Sequence, residues 1–249
     1  RGFLGKALAR DRLTIGVVGD ITAAELGPLL DRTFGALPAS TDIETPAQVS
    51  MQGGGTLKVV EKPIPQSQVI FGSMGLARSD PDWYAAYVLN YVLGGGGFTS
   101  RLTEEVREKR GLAYSVYSYL YPMDYTAIYM GGVGTQNTRV AEALAVIKAE
   151  IARTRDNGLT AEELANAKTY LNGSFPLRLT ASGRIARLLL AIQRENLGID
   201  YMDRRAGLIN AVTLEDIARV AKRLLQPDNL LVVVVGKPDG LMGDKADKK

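Results

Sequence analysis

The sequence predicts an α+β domain, a largely antiparallel mixed sheet covered by helices, and three observations predict it. Five short β-branched or alternating runs occur at residues 57–61, 66–73, 113–120, 126–133 and 230–235. The third and fourth alternate around a turn at Tyr121-Pro122-Met123-Asp124, the pattern of an antiparallel pair half exposed to water. Between the fourth and the fifth lie long stretches with apolar residues at helical spacing. Strands and helices thus come in blocks, which favours helices segregated against an antiparallel sheet over a βαβ repeat.

The 249 residues, 46% of them hydrophobic, suffice to fill a core. The longest apolar run, 230–235, falls far short of the ~18 residues of a membrane-spanning helix. A net charge of +3 with both signs mixed along the chain gives no support to nucleic-acid binding. The absence of cysteine removes disulfides, thiolate chemistry and cysteine-ligated metals. It leaves both the cytoplasm and the bacterial periplasm open, with the periplasm favoured. A chain starting at Arg1 without Met is expected to be a piece of a longer protein.

Residues 10–19, RDRLTIGVVG, resemble residues 227–236, PDNLLVVVVG. Each reads as a turn, a buried strand and a glycine, and each follows a helical segment, at 3–9 and 214–225. The repeat suggests a duplication in which the first copy closes an earlier homologous domain. Four segments are therefore expected: 1–35 as the end of that preceding domain, 36–55 as a linker, 56–238 as the main domain and 239–249 as a disordered tail. The linker rests on Pro38, Pro46 and three consecutive glycines, the tail on its polar, charged composition.

Helix signals are local. Thr22 with Glu25 forms a capping box that starts a helix through Leu26, Leu29, Leu30 and Phe34, and Thr160 with Glu163 starts another. Asp80 and Pro81 read as N-cap and first-turn proline of a helix through Leu93, which the glycines end. A short helix over 100–110 stops at Gly111 as a C′ residue, with Lys109 and Arg110 suited to the negative end of its dipole. Helical patterns at 140–151, 185–197 and 214–225 complete the set.

The chain contains no histidine, which removes the Ser-His-Asp triad, the Cys-His dyad and His-based zinc sites. No EF-hand spacing of carboxylates appears. Gly94, Gly95, Gly96 and Gly97 invite a phosphate-loop reading, but Phe98-Thr99-Ser100-Arg101 follows where Gly-Lys-Ser/Thr is required. The glycines read either as a flexible helix connector or as a substrate-facing loop.

Residues 93–102, LGGGGFTSRL, and 106–116, VREKRGLAYSV, resemble the signature of the M16 family of zinc peptidases, the insulinase, pitrilysin and mitochondrial processing peptidase type. The resemblance implies the LuxS/MPP-like metallohydrolase fold. It further implies the non-catalytic or C-terminal half, because the catalytic half carries an inverted His-x-x-Glu-His motif absent here. Carried over by position, the family's Arg–Tyr pair falls on Arg107 and Tyr114, and its glycine-rich loop on Gly94 to Gly97. The implied role of Arg107 and Tyr114 is donation of hydrogen bonds to a peptide carbonyl or to the charge developing on it.

On this reading the chain holds no metal, the zinc lies in a catalytic partner domain or subunit, and this half forms one wall of a chamber that binds unfolded peptide. Alone it is inactive; with its partner it is part of a zinc metalloendopeptidase. Alternatives are a scaffold and a peptide-binding module without proteolysis. Taken singly, Arg107 also reads as a helix cation paired with Glu104 or Asp124, and Tyr114 as a half-buried strand aromatic. Tyr117, Tyr119, Tyr121, Tyr125 and Tyr129 read as sheet support or as the lining of a peptide cleft.

Overall fold

A computed structural model describes residue 3, residues 7–241 and residues 244–245. Its helices are α1 (Ala23–Phe34), α2 (Trp83–Asn90), α3 (Val140–Asn157), α4 (Ala161–Gly173), α5 (Ser182–Arg194), α6 (Tyr201–Asn210) and α7 (Leu214–Leu224). Its strands are β1 (Leu57–Glu61), β2 (Gln66–Met74), β3 (Ala113–Pro122), β4 (Ala127–Gln136), β5 (Leu231–Gly236) and the two-residue β6 (Asp244–Lys245). The chain divides into two compact units, Arg1–Ala47 with Asn172–Ala206 and Gln48–Leu171 with Gly207–Lys249. Residues 172–206 are an excursion: the expected segment 56–238 includes them, but they group with residues 1–47. No local composition marks it, because membership of a unit is set by contacts far apart in sequence.

In the second unit the strands lie in the order β3-β4-β2-β5-β1-β6. β3 with β4, β4 with β2 and β2 with β5 are antiparallel; β5 with β1 and β1 with β6 are parallel. The sheet is therefore mixed and largely antiparallel, as its sequence implies. The two-residue alternation sorts its side chains cleanly. Val69, Phe71, Tyr129, Val133, Val232 and Val234 are buried in one core with Leu89 of α2, Ile147 and Ile151 of α3 and Ile217 of α7. Ile70, Met74, Tyr117, Tyr119 and Tyr121, on the opposite face, keep 38% to 50% of their surface exposed.

Several boundaries differ from the sequence expectation. β3 continues through Tyr121 and Pro122, pairing them with Ile128 and Ala127, so the turn lies at 123–126 rather than 121–124. The helix expected from Asp80 begins at Trp83 with Asp82 before it. Asp80 instead accepts from the Asp82 amide at 2.9 Å and pairs with Arg223 of α7 at 2.6 Å. Burial works to raise the Asp80 carboxyl, but the Arg223 guanidinium and the Asp82 amide together outweigh it and hold it below its ordinary value. α6 carries no sequence signal strong enough to be read beforehand. Of the expected tail, Asp244–Lys245 pairs in parallel with Lys58 and Val59, while residues 242, 243 and 246–249 lie outside the described residues.

In the first unit the capping box forms as its sequence dictates: the Thr22 amide donates to Glu25 at 2.9 Å and the Glu25 amide to Thr22 Oγ1 at 3.3 Å. Of the helix expected at 3–9, residues 3 and 7 are helical and residues 4–6 lie outside the described residues. A 3-10 turn follows at Arg10–Arg12, its amides donating to Pro38 and Ala39. The strand expected next does not form. Residues 13–19 have no strand partner among the described residues, and Ile15 and Val17 are each 41% exposed. An extended segment becomes a strand only beside another, which periodicity cannot guarantee.

Candidate functional site

The glycine run is neither a plain helix stop nor a loose loop. α2 passes without a break into a wider π turn over Tyr91–Gly95, and a 3-10 turn occupies Gly97–Thr99. Gly94 is buried: a Cβ there would collide with Ser118 Oγ, and would lie 2.7 Å from the Ser118 amide and 2.9 Å from Leu102. Only glycine lets the helix end press this closely on β3. The contact is completed by Asn90, whose side chain accepts from Ser118 Oγ at 2.8 Å and donates to the Ser118 carbonyl at 3.2 Å. Gly97 is glycine for a different reason. It stands in open space with φ at +62°, a conformation that side-chain-bearing residues disfavour.

Behind the turn, Arg101 clamps the segment to the helical layer. Its guanidinium reaches Glu163 of α4 through two bonds of 2.7 and 2.6 Å and Thr154 of α3 at 3.0 Å, with Glu150 at 3.8 Å. The paired fork geometry suits an arginine held almost out of water. Burial works to raise the Glu163 carboxyl, but Arg101 and the Thr160 amide hold it below its ordinary value.

The next helical stretch is also wound as a π turn, over Thr103–Glu108, and ends where expected. Gly111 takes φ +57° and its amide bonds Arg107 O at 2.8 Å, while the Leu112 amide bonds Val106 O at 2.8 Å. These are the closing bonds of a glycine-terminated helix. Lys109 and Arg110 do not serve the dipole alone; both pair with Glu105, which they hold below its ordinary value.

This reversal brings Arg107 and Tyr114 together. The Arg107 guanidinium carbon lies 5.1 Å from the Tyr114 ring centre and 4.5 Å from that of Phe98. Its ionic neighbour is Glu108, at 3.3 Å, rather than Glu104 or Asp124. Tyr114 is not half buried but 83% exposed, because a β-bulge between Ala113 and Val116 turns the start of β3 away from its partner. Phe98 is 72% exposed. The three side chains, with Gly97, Thr103 and Ser115, line a shallow groove of about 170 Å³.

Sequence reading missed Phe98 as part of this site. Its signal is a large aromatic directly after a glycine run, where the core has no use for it. Gly94 and Gly97 belong to the same structure without facing a ligand alike: one is packing, the other the hinge before Phe98. Tyr129 is wholly buried, whereas Tyr117, Tyr119 and Tyr121 form a stacked and edge-on series with ring centres 6.0 and 6.3 Å apart.

The site offers cationic and phenolic donors beside apolar rings and a π surface, which suits binding. It does not suit zinc. With no histidine or cysteine in the chain, and no cluster of three or more acidic side chains among the described residues, the donor set that zinc requires is not here. No helix among the described residues is long and apolar enough to cross a membrane.

The structure defines an α+β domain in which a glycine-shaped helix end abuts an antiparallel strand pair. Residues 1–171 match the family of peptidase M16 inactive domains, and the chain belongs to that family. It is 35% identical over 179 residues to an uncharacterized zinc protease of Streptomyces coelicolor, the match covering 71% of this chain and 38% of that protein. It is 30% identical over 174 residues to a non-peptidase homolog of Helicobacter pylori, covering 70% and 40%. A solved peptidase M16 inactive domain from Pseudomonas fluorescens superposes with a TM-score of 0.78 at 29% identity, covering 92% of this chain and 54% of that one. The chain thus spans about half the length, or less, of these proteins.

Proposed function

We propose that this domain is the non-catalytic half of an M16-type zinc peptidase, forming one wall of a peptide-degrading chamber and binding extended peptide there. The observation that carries this reading is the approach of Arg107 to Tyr114 and Phe98 at an open groove beside the edge strand β3. A guanidinium and a phenol held at one rim can donate to a peptide carbonyl, and the rings can pack against side chains without demanding a sequence. Tyr117, Tyr119 and Tyr121 follow Tyr114 along β3 and, with Ile70 and Met74, offer further partly exposed apolar surface on one face of the sheet. Zinc and the general base belong to the partner half, and this chain contributes binding and shape.

The test combines the chain with a zinc-bearing M16 half and compares wild type with Arg107→Ala and Tyr114→Phe. If both residues act on the transition state, kcat/KM falls by about tenfold or more in each, with kcat carrying the loss. Unchanged kcat/KM in both removes the proposed role. The relative named a non-peptidase homolog supports a second reading, a scaffold without proteolysis. That reading requires that no M16 half encoded beside this domain carry the inverted zinc motif.

A further inference from the structure

Arg107 is held differently from the other cations of its segment. Arg101 makes a fork to Glu163 at 2.6 and 2.7 Å, Lys109 lies 2.9 Å from Glu104 and 2.8 Å from Glu105, and Arg110 lies 2.6 Å from Glu105. Among the described residues, the Arg107 guanidinium donates no hydrogen bond. Its neighbours are the rings of Phe98 and Tyr114 and one carboxylate, Glu108, whose Oε1 stands 3.3 Å from Arg107 Nε. Glu104 and Glu105 are already taken by Lys109 and Arg110, so Glu108 is the carboxylate of this helical stretch left to Arg107.

The rings account for the missing hydrogen bonds. A guanidinium over an aromatic face is held by the charge distribution of the ring and by stacking, neither of which uses its N–H groups. Its donors thus remain for a ligand, in a groove whose other lining residues carry no charge. Glu108 does not line that groove; it meets the guanidinium at Nε, with its side chain 57% exposed against 27% for Arg107. The charge that a ligand meets is therefore that of the pair. A neutral carbonyl accepts from the guanidinium and loses little hydration. A carboxylate accepts likewise, but it gives up more hydration beside the rings and meets the like charge of Glu108 one guanidinium away.

We propose that Glu108 sets the specificity of the Arg107–Tyr114–Phe98 groove: it cancels the Arg107 charge, so that the groove takes the neutral carbonyls of an internal peptide stretch and turns away a free C-terminal carboxylate or an acidic side chain. This selectivity rests on the reading of the groove as a peptide site, and it narrows the ligand from any extended peptide to the uncharged interior of one. Glu108 acts through Arg107 and does not itself touch the peptide.

The test uses the full chain and two probes that differ by one charge, N-acetyl-Ala-Leu-Ala amide and the corresponding free acid. The probes are short, so in any register the terminus lies close to the groove. Each is titrated at low salt and at about 1 M salt, and the backbone NMR shifts of residues 97, 98, 114 and 115 report binding at the groove. At low salt the chain binds the amide about tenfold more tightly than the acid. At about 1 M salt, where charges are screened within a few ångströms, the ratio falls to about threefold or less. Glu108→Gln keeps the side-chain shape and removes the charge. In that variant the acid binds at least as tightly as the amide at low salt, while the melting temperature of the chain stays unchanged. A purely structural Glu108 would shift both affinities alike and leave their ratio and its salt dependence as they were.

Equal binding of the two probes at low salt overturns the proposal, as does an undiminished preference for the amide in Glu108→Gln. Tighter binding of the acid by the wild-type chain also overturns it and identifies a carboxylate receptor. Failure of both probes to shift residues 97, 98, 114 and 115 is a separate outcome: it removes the peptide reading of the groove, and the selectivity with it.

Discussion

Gly131 and Gly132 are neighbours on β4 and show how differently the two faces of the sheet are built. On the covered face, Phe71 lies so closely over Gly131 that a Cβ would strike its ring and would also come within 2.5 Å of the Tyr117 carbonyl. On the other face, a Cβ at Gly132 would meet the end of the Tyr117 ring at 2.8 to 3.0 Å and Ile70 Cδ1 at 3.1 Å. Both glycines seat an aromatic ring, but Phe71 is 1% exposed and has nowhere to go, while Tyr117 is 43% exposed and can swing outward. The covered face is a core, and the other is a surface of rings and flexible apolar side chains suited to transient contact.

The largest expected effect follows from deleting a ring on the covered face. Phe71→Ala is expected to cost about 4 kcal/mol in chemical denaturation, whereas Ile70→Ala, one residue along and 42% exposed, is expected to cost less than about 1 kcal/mol. Equal costs would mean that the second face is packed as tightly as the first.

The next effect concerns the helical layer that makes the first face a core. Arg101→Ala leaves Glu150 and Glu163 without their shared cation and is expected to cost about 3 kcal/mol at pH 7. The pH dependence has a defined sign. Glu163 has a lowered folded value, so its contribution is present above the ordinary carboxylate value and is lost as pH falls through the folded one. Wild-type stability should therefore decline below about pH 4, and the decline should be shallower in Arg101→Ala. Parallel profiles of the two proteins would show that Glu163 does not depend on Arg101.

The smallest expected effect is the sharpest comparison. Gly131→Ala is expected to destabilise by about 2 kcal/mol through overpacking, since one of the groups it meets is backbone. Gly132→Ala meets only side-chain ends and gains strand propensity, so a change within about 1 kcal/mol is expected. Melting curves of the pair measure how freely Tyr117 moves.

Much of the fold is legible in the sequence because its signals are local. Thr22 with Glu25 and Thr160 with Glu163 form their reciprocal bonds in the structure. Gly111 takes the positive φ that a C′ residue favours. The five strand runs pair within a few residues of their expected limits. The site was legible in part. The Gly111 reversal suffices to bring Arg107 near Tyr114, but the exposure of Tyr114 depends on a bulge set by the partner strand, and the place of Phe98 depends on the φ of Gly97. The need for glycine at position 94 is set by Ser118, which is far away in sequence.

Composition and periodicity by themselves determine that this chain is an α+β domain without the side chains of a zinc site, because those properties belong to single residues and their near neighbours. The tertiary structure alone decides which of two like segments is a strand, which glycine is packed and which is a hinge, and which face of the sheet stays in contact with water. Each of those outcomes depends on a partner surface that only a folded chain brings within reach.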